Sequence, residues 1–243
     1  VLTNPRNDDP GMLKKVKTKV TQTIGSTTIP ANPVEKTIVK NEYDKLGQLV
    51  TKTLAPEFAN NAGLEQLSYD YNIRGWLTSL NKDYLSGSNA NKYFGMELAY
   101  DKTGTVIPGA GYATAQYNGN ITGTSWKTKG DAVARKFDFA YDNVNRLLKG
   151  DFNQKDNNNN WVHNVVDFTV KMGDGAGYNS AYDENGNIKR MQQWGLKINA
   201  SSTIDDLGYT YSNSGFSNKL LKVTDTYNDH ATNLGDLTVG SNA

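Results

Sequence analysis

One short pattern recurs six times along this chain of 243 residues. It consists of an aromatic residue, then Asp, Asn or Ser, two free positions, Gly or Asn, one free position and, in the first five copies, an aliphatic residue. The copies occupy residues 43–49, 71–77, 100–106, 141–147, 182–188 and 211–216. Such a repeat indicates an architecture of stacked units, because each unit buries its apolar face only against its neighbours.

The repeated residues have a direct interpretation in turn chemistry. Asp, Asn or Ser at the second position can accept a hydrogen bond from a backbone N–H two residues ahead, and Gly at the fifth position can adopt a positive φ. Together they predict a type I turn closed by a left-handed residue, which joins two antiparallel strands. Asn145 replaces Gly in the fourth copy and supports this interpretation, since Asn tolerates a positive φ better than other non-Gly residues. The residues that define the copies are Tyr43, Asp44 and Gly47; Tyr71, Asn72 and Gly75; Tyr100, Asp101 and Gly104; Tyr141, Asp142 and Asn145; Tyr182, Asp183 and Gly186; and Tyr211 and Gly215.

The residues before each turn alternate as β-strands do. Phe137, Phe139 and Tyr141 share one face of a predicted strand, as do Tyr209 and Tyr211. The aromatic residue before the turn and the aliphatic residue after it lie on opposite arms of the hairpin, close enough to pair. We therefore predict an all-β fold in which repeated antiparallel β-hairpins form a curved, spiralling sheet ribbon with an aromatic ladder on one face.

The two long intervals between copies, 100–141 and 141–182, each contain a further turn pattern. The first holds Asn118-Gly119, a dipeptide typical of tight hairpin turns, and the second holds a polar run at residues 156–160. Each insert is predicted to add one hairpin to the ribbon.

The ribbon is expected to be one structural unit over residues 1–243 that belongs to a longer protein. Residues 12–40 are predicted to form earlier strands, and the pattern fades after Asp225. Helical periodicity is nearly missing. The best candidate is the segment 55–66, which could form one short irregular or helical turn, although Gly63 interrupts it.

The copies resemble the YD-repeat, or RHS-repeat, family, in the version common in Bacteroidetes. Residues 70–77, 181–188 and 220–225 are similar to sequences of that group, and the resemblance covers about residues 35–230. It implies a repeat ribbon that closes, in full-length members, into a hollow shell around a C-terminal toxic polypeptide. The shells of insecticidal toxin complexes and the animal teneurins share this architecture. The downstream Asp-Pro-x-Gly core segment of such members does not occur here, and Asp9-Pro10-Gly11 is interpreted as a turn.

The resemblance implies a non-enzymatic structural scaffold, part of the shell of a secreted or cell-surface protein of the polymorphic-toxin type. Its partners would be the remaining repeats and the C-terminal toxin of the same polypeptide. The alternative is a carbohydrate-binding or adhesive cell-surface module, with surface glycans as partners. This alternative would need two or three aromatic side chains on the outer face beside Asn or Asp. The candidates for such sugar-stacking platforms are Trp76, Trp126, Trp161 and Trp194, although strand spacing favours the packed ladder for them.

Composition excludes several other classes of function. The chain has 26 basic and 25 acidic residues, so its net charge of +1 gives no electrostatic reason to bind nucleic acid or an anionic membrane. No stretch approaches the roughly 20 apolar residues of a membrane-spanning helix. Fourteen Tyr, seven Phe and four Trp argue against disorder and suit a thin sheet.

No catalytic, cofactor-binding or metal-binding residue is predicted. The chain has no Cys and only two His, and neither His163 nor His230 has a second ligand at metal spacing. Two His also leave little room for a Ser-His-Asp arrangement.

Two weaker chemical patterns remain. The loop 173–177 is rich in Gly, but it lacks the Lys-Ser/Thr ending of a P-loop and a following helix, so a connecting loop is favoured. Asp205, Asp206 and Glu184 could serve a glycan-cleaving enzyme only if two carboxylates converged in a cleft. Turn caps and solvated charges are the favoured interpretation of these acidic residues, as they are of Asp151 and Asp156.

Overall fold

The structure is a computed structural model that describes residues 11–20, 22–24, 27–29, 34–197 and 200–227. It divides into two compact units, Val1–Met96 and Glu97–Ala243. The expectation of one ribbon over the whole chain stays a prediction. No helix in the described part of the chain is long and apolar enough to cross a membrane.

The first unit is built from antiparallel strands and one short helix. These elements are β1 (Lys15–Thr18), β2 (Gln22–Ile24), β3 (Thr27–Ile29), β4 (Lys36–Tyr43), β5 (Leu49–Leu54), β6 (Glu65–Tyr71), β7 (Leu77–Leu80) and α1 (Lys82–Ser86). Strand β8 (Phe94–Ala99) contains the boundary between the units. The hydrogen-bonded order is β1-β4-β5-β6-β7, and β2 and β3 form a separate two-stranded sheet. Each strand from β4 to β7 is therefore followed in space by the next strand in sequence.

The second unit continues the same kind of order. Its elements are β9 (Gly123–Thr128), β10 (Ala134–Tyr141), β11 (Leu147–Lys155), β12 (Trp161–Val162), β13 (Val170–Met172), α2 (Tyr178–Ala181), β14 (Arg190–Lys197), β15 (Ala200–Tyr211), a short 3-10 segment (Asn213–Gly215) and β16 (Leu220–Asp225). The order is β9-β10-β11-β13-β14-β15-β16, and β12 pairs with β11.

The predicted fold of repeated antiparallel hairpins is confirmed. A β-bulge recurs beside the pattern tyrosine in four hairpins, where the strand register shifts next to Tyr43, Tyr71, Tyr141 and Tyr211. A bulge places two residues of one strand against one of its neighbour and increases the local twist. The repeated sequence pattern thus produces a repeated irregularity of the sheet.

An aromatic ladder crosses β9, β10 and β11, as the alternation predicts. The ring centroids of Trp126 and Phe137 are 5.7 Å apart, and those of Phe137 and Phe152 are 5.3 Å apart. Phe139 and Phe168 extend the ladder on either side, and Phe152 at its centre is fully buried. Aromatic pairs in such geometries contribute about 0.5–1.5 kcal/mol each beyond their buried area.

The segment 55–66 takes the irregular of its two expected forms. Residues 55–64 form turns and no helix, because Ala55, Ala59 and the following Asn60 all have a positive φ that a right-handed helix does not permit, and β6 begins at Glu65. The expectation that no helix follows the Gly-rich loop 173–177 is wrong, because the short helix α2 directly follows it.

The predicted hairpin around Asn118-Gly119 is also wrong, since no strand forms between residues 113 and 122. The backbone on each side of the dipeptide has other partners. The Gln116 N–H donates to the Tyr100 carbonyl and the Thr122 N–H donates to the Ala99 carbonyl, at 2.7 and 2.8 Å. These flanking residues bond to the end of β8 and not to each other, so the tight turn lacks its two arms.

Candidate functional site

Four copies of the pattern share one turn geometry. In the first copy, the Asp44 N–H donates to the Gln48 carbonyl at 2.9 Å, and the Gly47 N–H donates to the Asp44 carbonyl at 3.2 Å. The Asp44 side chain closes the turn from within, because its Oδ1 accepts the N–H groups of Leu46 and Gln48, both at 2.9 Å. The same backbone bonds, with side-chain bonds to the same oxygen, recur in the turns that begin at Asn72, Asp142 and Asp183.

The fifth position of each of these copies is left-handed, as the pattern predicts. The φ angles are 81° at Gly47, 78° at Gly75, 69° at Asn145 and 85° at Gly186. At Gly186 an added Cβ would meet nothing closer than 3.8 Å. The requirement at Gly186 is therefore conformational, since L residues other than Asn and Asp seldom adopt this region.

The third copy does not form the predicted turn. Gly104 does not have a positive φ, and it forms an isolated bridge with Gly111. The neighbouring Thr103 carbonyl accepts the Tyr112 N–H at 2.7 Å, and Lys102 is bonded to the buried Glu97 of β8. These contacts hold residues 101–112 in a longer loop, here called the excursion. Asp101 and Gly104 therefore do not close the turn that the pattern predicts.

The sixth copy has a wider loop than predicted. The Ser212 N–H donates to the Lys219 carbonyl at 2.9 Å, so the hairpin closes around residues 213–218. Asn213, Ser214 and Gly215 all have positive φ. Gly215 thus keeps its left-handed conformation, but it belongs to a different and longer loop.

One further turn of the same geometry lies outside the six copies, in the polar run of the second insert. The Asp156 N–H donates to the Asn160 carbonyl at 2.9 Å, and Asp156 Oδ1 accepts the N–H groups of Asn158 and Asn160. Asn159 is the left-handed residue, with a φ of 65°. This turn joins β11 to β12 and forms the hairpin expected in the second insert. The combination of Asp156 with Asn three residues later, as in the fourth copy, is the sequence signal that identifies it.

Tyrosine hydroxyl groups join five of the hairpins to an earlier turn, and we call each of these bonds a tyrosine rung. The Tyr71 hydroxyl donates to the Leu49 carbonyl at 3.0 Å, and Leu49 is the aliphatic residue after the first turn. The Tyr182 hydroxyl donates in the same way to the Leu147 carbonyl, after the fourth turn, at 2.5 Å. The remaining rungs run from Tyr43 to Leu13, from Tyr141 to Ile121 and from Tyr211 to Ile188, at 3.0, 2.9 and 3.0 Å.

The rungs require neutral hydroxyl groups, and burial favours this form. Burial raises the pKa of each of Tyr71, Tyr141, Tyr182 and Tyr211 above the ordinary value of 10.0.

The rung from Tyr43 indicates a turn that precedes the first copy, because its acceptor Leu13 closely follows Gly11, whose φ is 118°. The other two residues of the predicted Asp9-Pro10-Gly11 turn lie outside the described residues.

The rung at Tyr182 lies in a small buried cluster. Leu148, Ala181 and Tyr182 are exposed to 5%, 0% and 8%. The guanidinium of Arg146 lies 4.4 Å from the Tyr182 ring, and its Nε donates to Asp142 Oδ2 at 2.6 Å. One arginine thus connects the side chain that closes the fourth turn with the tyrosine that docks beside it.

A buried carboxylate fixes the excursion that replaces the third turn. Glu97 is 1% exposed, and its carboxylate accepts bonds from the Lys102 ammonium and from the Val106 N–H, the latter at 3.1 Å. The Tyr112 hydroxyl lies 3.4 Å from Glu97 Oε2 and 3.1 Å from the Ser125 hydroxyl. Burial, together with this carboxylate, raises the pKa of Tyr112. Protein donors surround both oxygens of Glu97, which is the environment of a structural charge.

The acidic residues considered for glycan cleavage do not share a groove. Asp205 and Asp206 are adjacent in β15, so their side chains lie on opposite faces of the strand. The Asp206 carboxylate is held by Arg190 through two bonds of 2.6 and 2.5 Å, and these bonds lower its pKa. Glu184 is an exposed residue of the fifth turn, and the groove that it lines contains neither aspartate.

The four tryptophans are half-buried, and each has another ring or a basic side chain beside it. Trp126 packs in the aromatic ladder. A basic side chain lies over each of the other rings, with the Arg74 guanidinium 5.0 Å from Trp76 and the Lys171 ammonium 4.7 Å from Trp194. Two lysines lie 5.5 Å from the ring of Trp161. The structure therefore favours packing over sugar binding for these residues.

A groove beside the fifth turn, here called the fifth-turn groove, is lined partly by aromatic side chains. Its volume is about 490 Å³, and Tyr209, Tyr211 and Phe216 line it together with Glu184 and Lys189. The Phe216 side chain is 79% exposed. Sequence reasoning missed this groove because its wall is the widened loop of the sixth copy.

No metal-binding cluster stands beside these features. Within the described ranges, no three His, Asp or Glu side chains are grouped so that they could hold an ion. His163 is exposed, and His230 lies outside those ranges. The candidate site is therefore the series of closed turns and tyrosine rungs, with the fifth-turn groove at its side. No family model matches the chain, and a search of curated proteins finds no similar sequence.

Proposed function

We propose that the chain is a non-enzymatic structural scaffold, a section of the β-shell of a secreted or cell-surface protein of the RHS type. The observation that carries this proposal is the set of five tyrosine rungs. The Asp, Asn, Gly and Tyr side chains of the pattern hold backbone groups in place. The most repeated chemistry of the chain thus serves its shape.

The thinness of the sheet supports a shell wall. All six residues of β5 are half-buried, as expected where no second layer covers the strand. The recurring bulge adds twist at each hairpin, and repeated twist of one hand curves a sheet. In this proposal the partners are the remaining repeats and a C-terminal toxin of the same polypeptide, which the shell encloses or presents.

The proposal is tested on the natural polypeptide, captured from its own cells with an antibody against this chain. Electron microscopy is expected to show hollow particles. A segment at the C-terminal side should resist added protease until the particles are denatured. Particles without an internal cavity, or a captured polypeptide of only 243 residues, would contradict the shell.

The second candidate function is binding of a cell-surface carbohydrate in the fifth-turn groove. The observation that favours it is the exposed Phe216 ring close to Glu184 and Lys189, because sugars stack on aromatic faces and bond to charged side chains at their edge. The Asn185 amide lies at the same groove and donates to the Gly215 carbonyl at 3.4 Å.

A glycan array probed with the whole chain tests this second candidate. Any glycan bound in the groove should be lost on Phe216→Ala. The Tyr117→Ala variant serves as a matched control, since Tyr117 is 75% exposed and does not line the groove. An array without binding, or equal binding by both variants, would remove the carbohydrate proposal.

A further inference from the structure

The tripeptide Asn-Gly-Asn occurs twice in this chain, at residues 118–120 and 185–187. In such a sequence the Gly backbone nitrogen can attack the side-chain amide carbon of the preceding Asn, because Gly has no Cβ that crowds the approach. The attack needs a Gly nitrogen that is free of other bonds and an Asn side chain held close to the backbone. The two tripeptides have different surroundings, so their Asn side chains are expected to differ in reactivity.

In the second tripeptide, the fifth turn engages the groups that would react. The Gly186 N–H donates to the Asp183 carbonyl at 3.0 Å, and the Asn187 N–H donates to Asp183 Oδ1 at 2.8 Å. The Asn185 Nδ2 donates to the Gly215 carbonyl at 3.4 Å. Attack by the Gly186 nitrogen would therefore first require the turn to open.

In the first tripeptide, the same groups are arranged in favour of the reaction. Among the residues that the structure describes, the Gly119 N–H has no hydrogen-bond acceptor. The Asn120 N–H donates to Asn118 Oδ1 at 3.0 Å, and this bond holds the side chain against the backbone. The same donor stabilises the negative charge that Oδ1 gains when its carbon is attacked, as the donors of an oxyanion hole do. Asn118 is exposed, so water reaches the site.

The flanking contacts explain why the first tripeptide lacks a closing bond. The Gln116 and Thr122 N–H groups donate to the carbonyls of Tyr100 and Ala99, at the end of β8. Residues 117–119 therefore form a bend and not a closed turn. The tripeptides are identical in sequence, so the freedom of the Gly119 nitrogen comes from contacts distant in the chain.

We propose that Asn118 is a site of spontaneous deamidation, a modification that needs no reactant other than water. A bond forms between the Gly119 nitrogen and Asn118 Cγ, and the bond from Cγ to Nδ2 breaks. Nδ2 leaves as ammonia with the proton of the Gly119 N–H. Water then adds to one of the two carbonyl carbons of the succinimide ring and opens it, which leaves aspartate or isoaspartate at position 118. This modification is independent of the proposed scaffold function.

The modification changes a contact between this loop and the fourth turn. Asn118 Nδ2 donates to Oδ1 of Asn145, the left-handed residue of that turn, and Asn120 Nδ2 lies 3.4 Å from the same oxygen. A carboxylate at position 118 accepts hydrogen bonds and cannot donate them. The bond to Asn145 Oδ1 is therefore lost, and a negative charge is placed beside that oxygen. Deamidation thus weakens the contact between the loop and the fourth turn.

Incubation of the whole folded chain in heavy-oxygen water at neutral pH tests the proposal. Tryptic digestion in ordinary water then places the two sites on separate peptides, 103–127 and 172–189, for mass spectrometry. Only conversion during the incubation incorporates heavy oxygen, so conversion during digestion is excluded. Asn118 should convert about 10-fold faster than Asn185, because the need to break a turn hydrogen bond slows the second site by a factor of this order.

Two controls accompany this measurement. In the chain unfolded by urea, the two sites should convert at similar rates, because the fifth turn no longer protects Asn185. The Asn118→Gln variant should abolish conversion on the first peptide and leave the second unchanged, and Asn185→Gln is its matched counterpart. Conversion of Asn118 in the folded chain that is absent, or no faster than that of Asn185, would overturn the proposal. Conversion of the first peptide that persists in Asn118→Gln would also overturn it.

Discussion

The rung at Tyr182 offers the sharpest test of how the hairpins are held together. The Tyr182→Phe substitution keeps the ring in its cluster with Leu148 and Ala181 and removes only the hydroxyl. The Leu147 carbonyl then loses its 2.5 Å bond to that group. Because Tyr182 is 8% exposed, water has little access to the orphaned carbonyl, and leaving such a group unsatisfied costs about 1–3 kcal/mol. We expect the free energy of unfolding to fall by about that amount.

Urea unfolding followed by tryptophan fluorescence measures this loss. The midpoint should move to lower urea while the m-value stays constant, since the area exposed on unfolding is unchanged. Tyr117→Phe is the matched control, because the same hydroxyl is removed from a side chain that is 75% exposed, and its effect should stay below about 0.5 kcal/mol. If the two variants have the same stability, the rung does not stabilise the fold and the scaffold argument fails.

Three further predictions concern the pH dependence, the turns and the buried carboxylate. Burial raises the pKa of Tyr182 above 10.0, so its contribution to stability is complete below pH 10 and is lost as the pH rises through the raised pKa. Between pH 10 and 12 the free energy of unfolding of Tyr182→Phe should therefore fall less than that of the natural chain. Parallel curves of stability against pH would refute this. Gly186→Ala should destabilise the chain by about 1–2 kcal/mol because of its left-handed φ, whereas Gly130→Ala, at a position without positive φ or a close contact, should change little in the same urea assay. Glu97→Ala should destabilise the second unit by roughly 3 kcal/mol and speed hydrogen exchange of the Val106 amide. The control Glu184→Ala, at an exposed turn, should do neither. An unchanged exchange rate at Val106 would show that Glu97 does not hold residues 101–112 in place.

The turns were predictable because their determinants are local. Asp44, its two acceptor bonds and the left-handed Gly47 lie within five consecutive residues. The same logic fails at Asp101 for a reason that no local pattern contains. Glu97 is buried in β8 and binds Lys102, so the backbone that follows is committed to a different path. A local preference was overridden by the need to pair a buried charge.

The rungs were harder to foresee, because donor and acceptor lie on different hairpins. Tyr71 and Leu49 are brought together only when the strands pair in the correct register. A clue does exist in the sequence. The chain uses Phe freely in its ladder, at Phe137 and Phe152 among others, yet all six copies of the pattern begin with Tyr. Packing alone would accept either ring, so the constant choice of Tyr indicates that the hydroxyl has a partner.

The fifth-turn groove could not be derived from the pattern at all. Its wall depends on the widened loop around Asn213 and Ser214, and the width of that loop is set by where β16 starts to pair. Ser212 replaces the Asp or Asn of the other copies, and its shorter side chain weakens the local preference for the compact turn. The fold class followed from the repeat, while the groove followed from a departure from it.

The free positions at the turn tips have a consequence for how such a chain can diversify. Leu46 and Val144, the fourth residues of their copies, are 83% and 66% exposed, and Ile73, the third residue of its copy, is 104% exposed. The geometry of each tip is set by the Asp or Asn side chain, the left-handed residue and the rung, none of which involves the side chains of these residues. Mutation can therefore change the side chains displayed at the turn tips without altering the backbone that carries them. A lineage of such proteins could vary its outward identity rapidly while conserving its architecture.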